Sequence, residues 1–515
     1  MEGRKKSANR ILLLLSLTGL FCAAACAGPS GPAVPSGQEI TGNPYVTTSI
    51  SSANPKVSDT AAPMPSVTDS LTAPASPSVP SPTPTDPASQ IPEPPGATSF
   101  PSPPDAITTY GVHELKLYTE DSIPVTSKTD YVTARMVADG SEEDALIRGR
   151  GNSSWHQLPK KAYRLKLSEK TELFGMPSDK DWVLVPNYVD PSLIRNAVTY
   201  DMAQVLSNLT WTPDFRFIEF YLNDEYLGLY TICEKIEEAA HKLPLGSQVL
   251  DEKGRIGDMG FILEWGWDYD CENIFGLDYF MTDSGDSLYI KDPKVKYQYD
   301  DVMTYTRRYI KALENAAESY GDYEKYIDVD NWVDWFIINE LTNNTECSFY
   351  RSLYMYKPAG GKLCLGPLWD YDTAFGNFSG DIADYNGWVA VDSTYVYFEK
   401  KDIIAFILED SAFQEKIKKR WSEVKEDLLS TALLSIDLRS EEIKEARIRD
   451  EERWPKVLSG DRIGMARSTT YGFTDYESHI GYLKDFLLSR YEWMDEHLTR
   501  EGDILDQSPE YNEAQ

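Results

Sequence analysis

The sequence is poor in cysteine and poorer in histidine. Six cysteines occur in 515 residues, and two of them, Cys22 and Cys26, lie in the N-terminal segment. The other four, Cys233, Cys271, Cys347 and Cys364, form no Cys-x-x-Cys pair. That spacing argues against zinc and thioredoxin-type sites. Cys347 and Cys364 flank a predicted strand pair, so a bridge between them and two buried thiols both fit the sequence. The five histidines, His113, His156, His241, His479 and His497, are scattered, with no His-Glu-x-x-His and no Gly-x-Ser-x-Gly. A histidine metal centre and a serine-hydrolase elbow are therefore disfavoured. Positive charge is scarce as well: 50 Lys and Arg against 82 Asp and Glu give a net charge of −32. Such a surface repels nucleic acid, and an anionic ligand needs a local basic patch or a divalent cation. Internal repeats are absent. The one long apolar run, ILLLLSLTGLF (11–21), is too short to span a bilayer comfortably.

That run follows Arg4, Lys5, Lys6 and Arg10 and precedes AAAC, ending at Cys26. Residues 1–26 thus read as a signal segment. Its end resembles a bacterial lipobox, which makes Cys26 the expected lipidation site and the protein an extracytoplasmic, lipid-anchored one. An ordinary cleaved signal, giving a secreted protein, is the alternative. Residues 27–105 are dominated by Pro, Ser, Thr, Ala and Gly, as in PASPSVPSPTPTDPASQIPEPPG. Such a segment buries too little apolar surface to offset its ordering entropy. It reads as a disordered stalk, extending about 3.1 Å per residue where polyproline-like. The linker is assigned to 27–107, a folded domain to 108–500 and an acidic tail to 501–515.

Alternating apolar and polar residues predict strands in HELKLYTE (113–120), DYVTARMVA (130–138) and AYRLKL (162–167). FRFIEFYLNDEYLGLYTICEKIE (215–237) reads as two strands joined at Asn-Asp-Glu. DPSLIRNAVTYDMAQVL (190–206) reads as a helix with Asp190 as N-cap and Pro191 in the first position. DVDNWVDWFIINELTNN (328–344) puts Val329, Trp332, Val333, Phe336, Ile337 and Leu341 on one helical face. SLYMYKP and GKLCLGPL form a hairpin around Ala359-Gly360-Gly361, and 402–500 is helical and charged. A strand-rich front and a helix-rich back predict an α+β fold with two lobes.

Two constellations stand out. GPLWDYDTAFGN (366–377) places Asp370 and Asp372 two apart behind an apolar strand. Carboxylates fixed there suit a Mg²⁺ or Mn²⁺ ion that also takes phosphate oxygens, although a turn after a strand favours Asp too. RGRGNSSW (148–155) and PKKAYRLKL (159–167) gather Arg148, Gly149, Arg150, Gly151, Asn152, Ser153, Lys160, Lys161 and Lys166 in an otherwise acidic chain. Glycines permit close backbone approach and the cations supply charge for phosphates; a basic surface hairpin is the simpler alternative. The 82 acidic residues also leave glycosidase-type carboxylate pairs open.

These blocks resemble the CotH kinase family, named for a spore coat protein. The resembling pieces are RGRGNSSW with PKKAYRLKL, DWVLVPNYVDPSLIRNAV, YLNDEYLGLYTICEKIE, FILEWG and WFIINELTNNTECSFYRSLYMYKPAGGKLCLGPLWDYDTAFGN, in family order over about residues 108–500. The resemblance implies an atypical two-lobed protein-kinase-like fold that transfers the ATP γ-phosphate to Ser or Thr of surface or secreted proteins. It implies metal binding by Asp370 with Asp372, phosphate contact by Arg148 to Lys166 through Lys161 or Lys166, and Glu234 near the adenine. Glu346 in Asn344-Thr345-Glu346 stands where the family usually has Asp, as the base for the substrate hydroxyl. Glu is longer by one C–C bond, about 1.5 Å, and a misplacement of about 1 Å costs about a hundredfold in rate. Arg351 and Ser352 stand where an asparagine is usual. A pseudokinase or a structural module on the same fold is thus the second reading, and a sugar-binding surface protein, suggested by the 12 Trp and 32 Tyr, the third.

Overall fold

The computed structural model describes residues 107–266, 273–348, 351–378, 385–390, 403–461 and 468–505. The signal segment with Cys26, the linker up to residue 106, Cys271, and the tail beyond residue 505 lie outside the described residues. The architecture is α+β, as the sequence predicts.

Seven strands close a barrel in the order β1-β2-β3-β4-β5-β7-β6. They are β1 (Val112–Thr119), β2 (Val132–Ala138), β3 (Ser141–Arg150), β4 (Ala162–Leu173), β5 (Met176–Val185), β6 (Phe215–Leu222) and β7 (Glu225–Glu234). The alternation seen in the sequence is the cause. Leu115, Leu117, Met136, Ile147, Leu165, Leu167, Trp182, Ile218, Phe220, Tyr230 and Ile232 all point into one dry interior, while Arg148, Arg150, Arg164 and Lys166 take the other parity. Neighbours pair antiparallel except at the seam, where β1 runs parallel to β6 from Val112↔Phe217 to Leu117↔Leu222. The β6–β7 turn is tight: Asn223 and Asp224 both take positive φ, 51° and 64°, the geometry of a two-residue type I′ hairpin.

The second core lies outside the barrel. A ladder of β8 (Val249–Leu250) and β9 (Ile256–Asp258) precedes a five-stranded sheet. That sheet has the order β11-β12-β10-β13-β14. Its strands are β10 (Phe261–Gly266), β11 (Tyr279–Met281), β12 (Ser287–Asp292), β13 (Leu353–Lys357) and β14 (Cys364–Leu365). Helix α1 (Ser153–His156) packs on the barrel, and the remaining helices contribute to the second core: α2 (Arg195–Ala203), α3 (Asp301–Glu318), α4 (Val329–Leu341), α5 (Ile403–Leu408), α6 (Ser411–Glu442), α7 (Lys444–Arg453), α8 (Pro455–Leu458) and α9 (Tyr476–Thr499). Trp265, Trp332, Trp335, Trp388 and Trp421 are fully buried here, and no tryptophan is among the exposed large apolar residues described. The tryptophans thus build cores, which removes their support for a sugar-binding surface, while six tyrosines and Phe275 are exposed among the described residues. No helix among the described residues is long and apolar enough to cross a membrane.

Two expectations change, and the choice left open for Cys347 and Cys364 is decided. The helix expected at 190–206 begins only at Arg195. Asp190 does not cap Pro191; its carboxylate accepts from Ser192 N at 2.9 Å and from Arg195 N at 2.9 Å. It also pairs with the Arg195 guanidinium, and both side chains are buried. Helix α4, capped by Asp328, which accepts from Asn331 N, is buried on every side from Asn331 to Leu341 rather than along one stripe. Cys347 and Cys364 are separate buried thiols, as is Cys233.

Lys160 shows how the barrel joins the helices. Its ammonium, wholly buried, bonds Asp450 of α7 at 2.6 Å and Leu229 O of β7 at 2.7 Å. Removing one partner of a buried pair leaves the other charge stranded. Asp450→Ala is expected to cost about 3–5 kcal/mol, read as a lower urea midpoint. Lys160→Met with Asp450→Leu should recover most of that loss.

Candidate active site

The turn after α4 carries Glu346. Asn343 there takes φ 49°, and Asn344 organises the residues after it. Its Oδ1 accepts from Glu346 N at 3.1 Å and Cys347 N at 3.3 Å, and its Nδ2 donates to Asp370 O at 3.3 Å. One buried amide therefore sets Glu346 and Asp370 side by side. Phe375 N donates to Thr342 O at 2.6 Å, closing the same joint.

Asp370 follows β14 in a loop tied on several sides. Tyr371 N donates to Asn196 Oδ1 of α2 at 2.8 Å, and Arg195 Nε donates to Ala374 O at 3.0 Å. Asn377 Nδ2 reaches Val189 O at 2.9 Å and Asp372 O at 2.6 Å. Asp370 itself has φ 65°, and Ser352, which donates to Asp370 Oδ2 at 2.9 Å, has φ 58°. Left-handed backbone at non-glycine residues is costly and gathers where a site holds it.

Glu346 Oε1 lies 2.8 Å from Arg351 Nε, and its Oε2 accepts from Thr373 Oγ1 at 3.2 Å. Burial and the neighbouring Glu346 push the Asp370 carboxyl up to about 7, against the bond from Ser352 and the charges of Arg351 and Arg150. The Cys347 thiol is raised by burial and then by Asp370, Glu346 and Asp372 together, so the three acids share one neighbourhood. Hard oxygen donors that repel one another in a partly buried place fit a hard divalent cation such as Mg²⁺ or Mn²⁺.

The expected phosphate segment is dispersed. Arg148 turns away, donating to Lys128 O and, at 3.1 Å, to Gly149 O, with its guanidinium over Tyr131. A Cβ on Gly149 would fall 2.4 Å from the Trp155 ring, so this glycine is required for packing. Gly151 has φ 83° at the turn into α1. Asn152 Oδ1 accepts from Lys128 Nζ at 3.1 Å, Asn152 O accepts the first bonds of α1, and Ser153 O accepts from Gln157 N and Leu158 N beyond its end. Lys161 donates to Trp155 O at 2.6 Å, and burial pushes its pKa down. Lys166 lies half-buried on the outer face of β4, opposite Asp181. Arg150 alone of this set is seen to reach the acids: its guanidinium lies 4.9 Å from the Trp369 ring, next to Asp370.

Glu234 ends β7 in a different cluster. With Asp179 and His241 it places three ligand-type atoms within 4.8 Å of one another. The buried Lys242 ammonium pairs with Asp179 and lies 4.0 Å from Glu234, so a cation already neutralises these acids. Tyr230, on the same strand, points into the barrel. Sequence reasoning passed over Glu264 and Lys291, an ion pair at 2.5 Å on β10 and β12. The signal was an acid inside the apolar strand FILEWG.

With this geometry in place, the comparisons are specific. The pattern of the CotH kinase protein family matches residues 147–494, so the chain belongs to the CotH family. Strands β1, β2 and most of β3 precede the matched residues. The chain is also similar to inner spore coat protein H of Bacillus subtilis (strain 168), with 24% identity over 296 residues, covering 56% of this chain and 73% of that protein.

An acid whose pKa is raised on folding binds more protons folded than unfolded. Stability therefore falls as pH rises from the free-carboxyl range toward about 7. Asp370→Asn is expected to raise the melting temperature of the metal-free protein at pH 8. The gain should shrink to nothing near pH 4, checked by melting curves in chelator.

Proposed function

We propose that this chain is an extracytoplasmic phosphotransferase, moving the γ-phosphate of ATP to Ser or Thr of surface or secreted proteins. The observation that carries this reading is the joint at Asn344, which sets Glu346 beside Asp370 within a CotH-family domain. Family membership in general supports the use of ATP and a divalent ion. Asp370, with Asp372 on the same loop, would hold Mg²⁺ or Mn²⁺. A cation there would neutralise charge on the transferred phosphate.

The chain's own residues supply the rest. The substrate hydroxyl oxygen attacks the γ-phosphorus, ADP leaves, and the hydroxyl proton passes to Glu346. Thr373 and Arg351 orient that carboxylate. The lipid anchor at Cys26 and the stalk would hold the domain outside the membrane; this setting rests on the signal-like N-terminus. The name of the spore coat relative accords with a surface role.

A second reading has its own observation. Glu346 is engaged by Arg351 and Thr373, which suits a domain that binds nucleotide without turnover. Labelled ATP with Mn²⁺ separates the two. Active wild type is expected to transfer phosphate, Asp370→Ala to abolish both transfer and the Mn²⁺-dependent thermal shift, and Glu346→Gln to lower kcat about 10²–10⁴-fold with binding kept. A thermal shift without transfer in wild type selects the second reading. Equal activity in Asp370→Ala removes the metal assignment.

A further inference from the structure

The cation that meets the nucleotide's phosphates is not evident in the glycine-containing segment, where Lys160 and Lys161 are consumed by internal bonds. The second sheet offers one. Along the β10–β12 ladder Ile262 faces Asp292 while Leu263 faces Ile290, which leaves Lys291 as the extra residue of a β-bulge. Bulges bend a strand, re-aim a side chain and gather beside active sites. The re-aimed ammonium pairs with Glu264 at 2.5 Å while 36% of the Lys291 side chain stays exposed. Glu264 lies directly opposite Tyr354 on β13. Tyr354 follows Ser352 by two residues, and Ser352 donates to Asp370 Oδ2 at 2.9 Å, while Arg150 lies over Trp369, so the strand beside the ion pair leads to the metal-site acid.

Charge concentrates here against the character of the chain. Arg164 pairs with Asp181 on the barrel's outer face, Lys235 pairs with Glu237, and the exposed Lys294 follows Lys291 by three residues. Five cations, Arg150, Arg164, Lys235, Lys291 and Lys294, thus fall on or just after β3, β4, β7 and β12 in a protein of net charge −32. Four acids, Asp181, Glu237, Glu264 and Asp292, accompany them. The order, cations on these strands and metal-type carboxylates on the loop after β14, is what a metal–triphosphate requires along its length. An ammonium has three donors, and one suffices for Glu264.

We infer that Lys291, held in place by Glu264 and flanked by Arg150, is the residue that contacts the phosphate chain of a nucleoside triphosphate. The inference rests on the phosphotransferase reading above. It assigns the phosphate subsite to the β10–β12 ladder of the second sheet, not to Lys161 or Lys166.

Calorimetric titration of the full chain with MnATP, MnADP and adenosine tests it. Lys291→Ala is expected to weaken MnATP and MnADP about 10- to 100-fold, the effect of losing a charged hydrogen bond, and to leave adenosine unchanged. Lys166→Ala should bind as wild type does. The metal-free melting temperature checks folding. Should Lys291→Ala unfold by stranding Glu264, Lys291→Met with Glu264→Gln removes both charges and reads the same loss. Wild-type affinity for MnATP in a folded Lys291 variant overturns this inference and leaves the phosphotransferase reading standing. A wild type that binds no MnATP overturns both.

Discussion

Everything at the candidate site depends on how the barrel is held against the helices, and the buried part of that joint centres on one carboxylate. Asp450 Oδ1 accepts from Lys160 Nζ at 2.6 Å and from Leu229 N at 2.7 Å. Gly228 makes the approach possible, since a Cβ there would stand 2.3 Å from the same oxygen. A strand backbone, a lysine from the β3–β4 connection and helix α7 therefore meet at a point. A buried pair adds little net stability but fixes orientation, because any other arrangement strands a charge. The barrel's outer face, with Arg150, is thereby brought to Trp369 and Asp370.

The same device recurs inside the helical half. Asp201 of α2 binds Arg439 of α6, and Glu340 of α4 binds Arg490 of α9, all four buried. Glu340 also accepts from Val389 N and Ala390 N at 2.8 and 2.7 Å. An acidic chain has few cations to spend, and it places several at joints. The loops around Glu346 and Asp370 are then pinned to rigid elements, and the left-handed residues Asn343, Ser352, Asp370 and Phe375 all fall within them.

Legibility followed the range of the forces. The strands of the barrel were readable because one dry face imposes a period of two on each of them. The hairpin at Asn223-Asp224 was readable because its φ values demand such residues. Asp370 and Glu346 could be named as candidates through ordered blocks, but the joint between them passes through Asn344, whose role no spacing announces. The Asp190-Pro191 cap failed because Asp190 is drawn to Arg195 instead. Helix α4 looked amphipathic because its polar residues Asp334 and Glu340 find partners in Arg420 and Arg490, 86 and 150 residues away. Lys160 looked like a phosphate ligand for the same reason: Asp450 is 290 residues distant.

The parallel seam of the barrel has a mechanical consequence. The chain enters the domain at β1, which pairs antiparallel with β2 and parallel with β6. Just before it, Tyr110 N and Gly111 N donate to Glu442 at the end of α6, and the Arg216 guanidinium covers the Tyr110 ring. Ladder hydrogen bonds lie across the strand direction. A pull transmitted from the preceding residues along β1 therefore loads two rows of bonds in shear, all together, instead of peeling them one by one. The point of attachment is built as a lap joint.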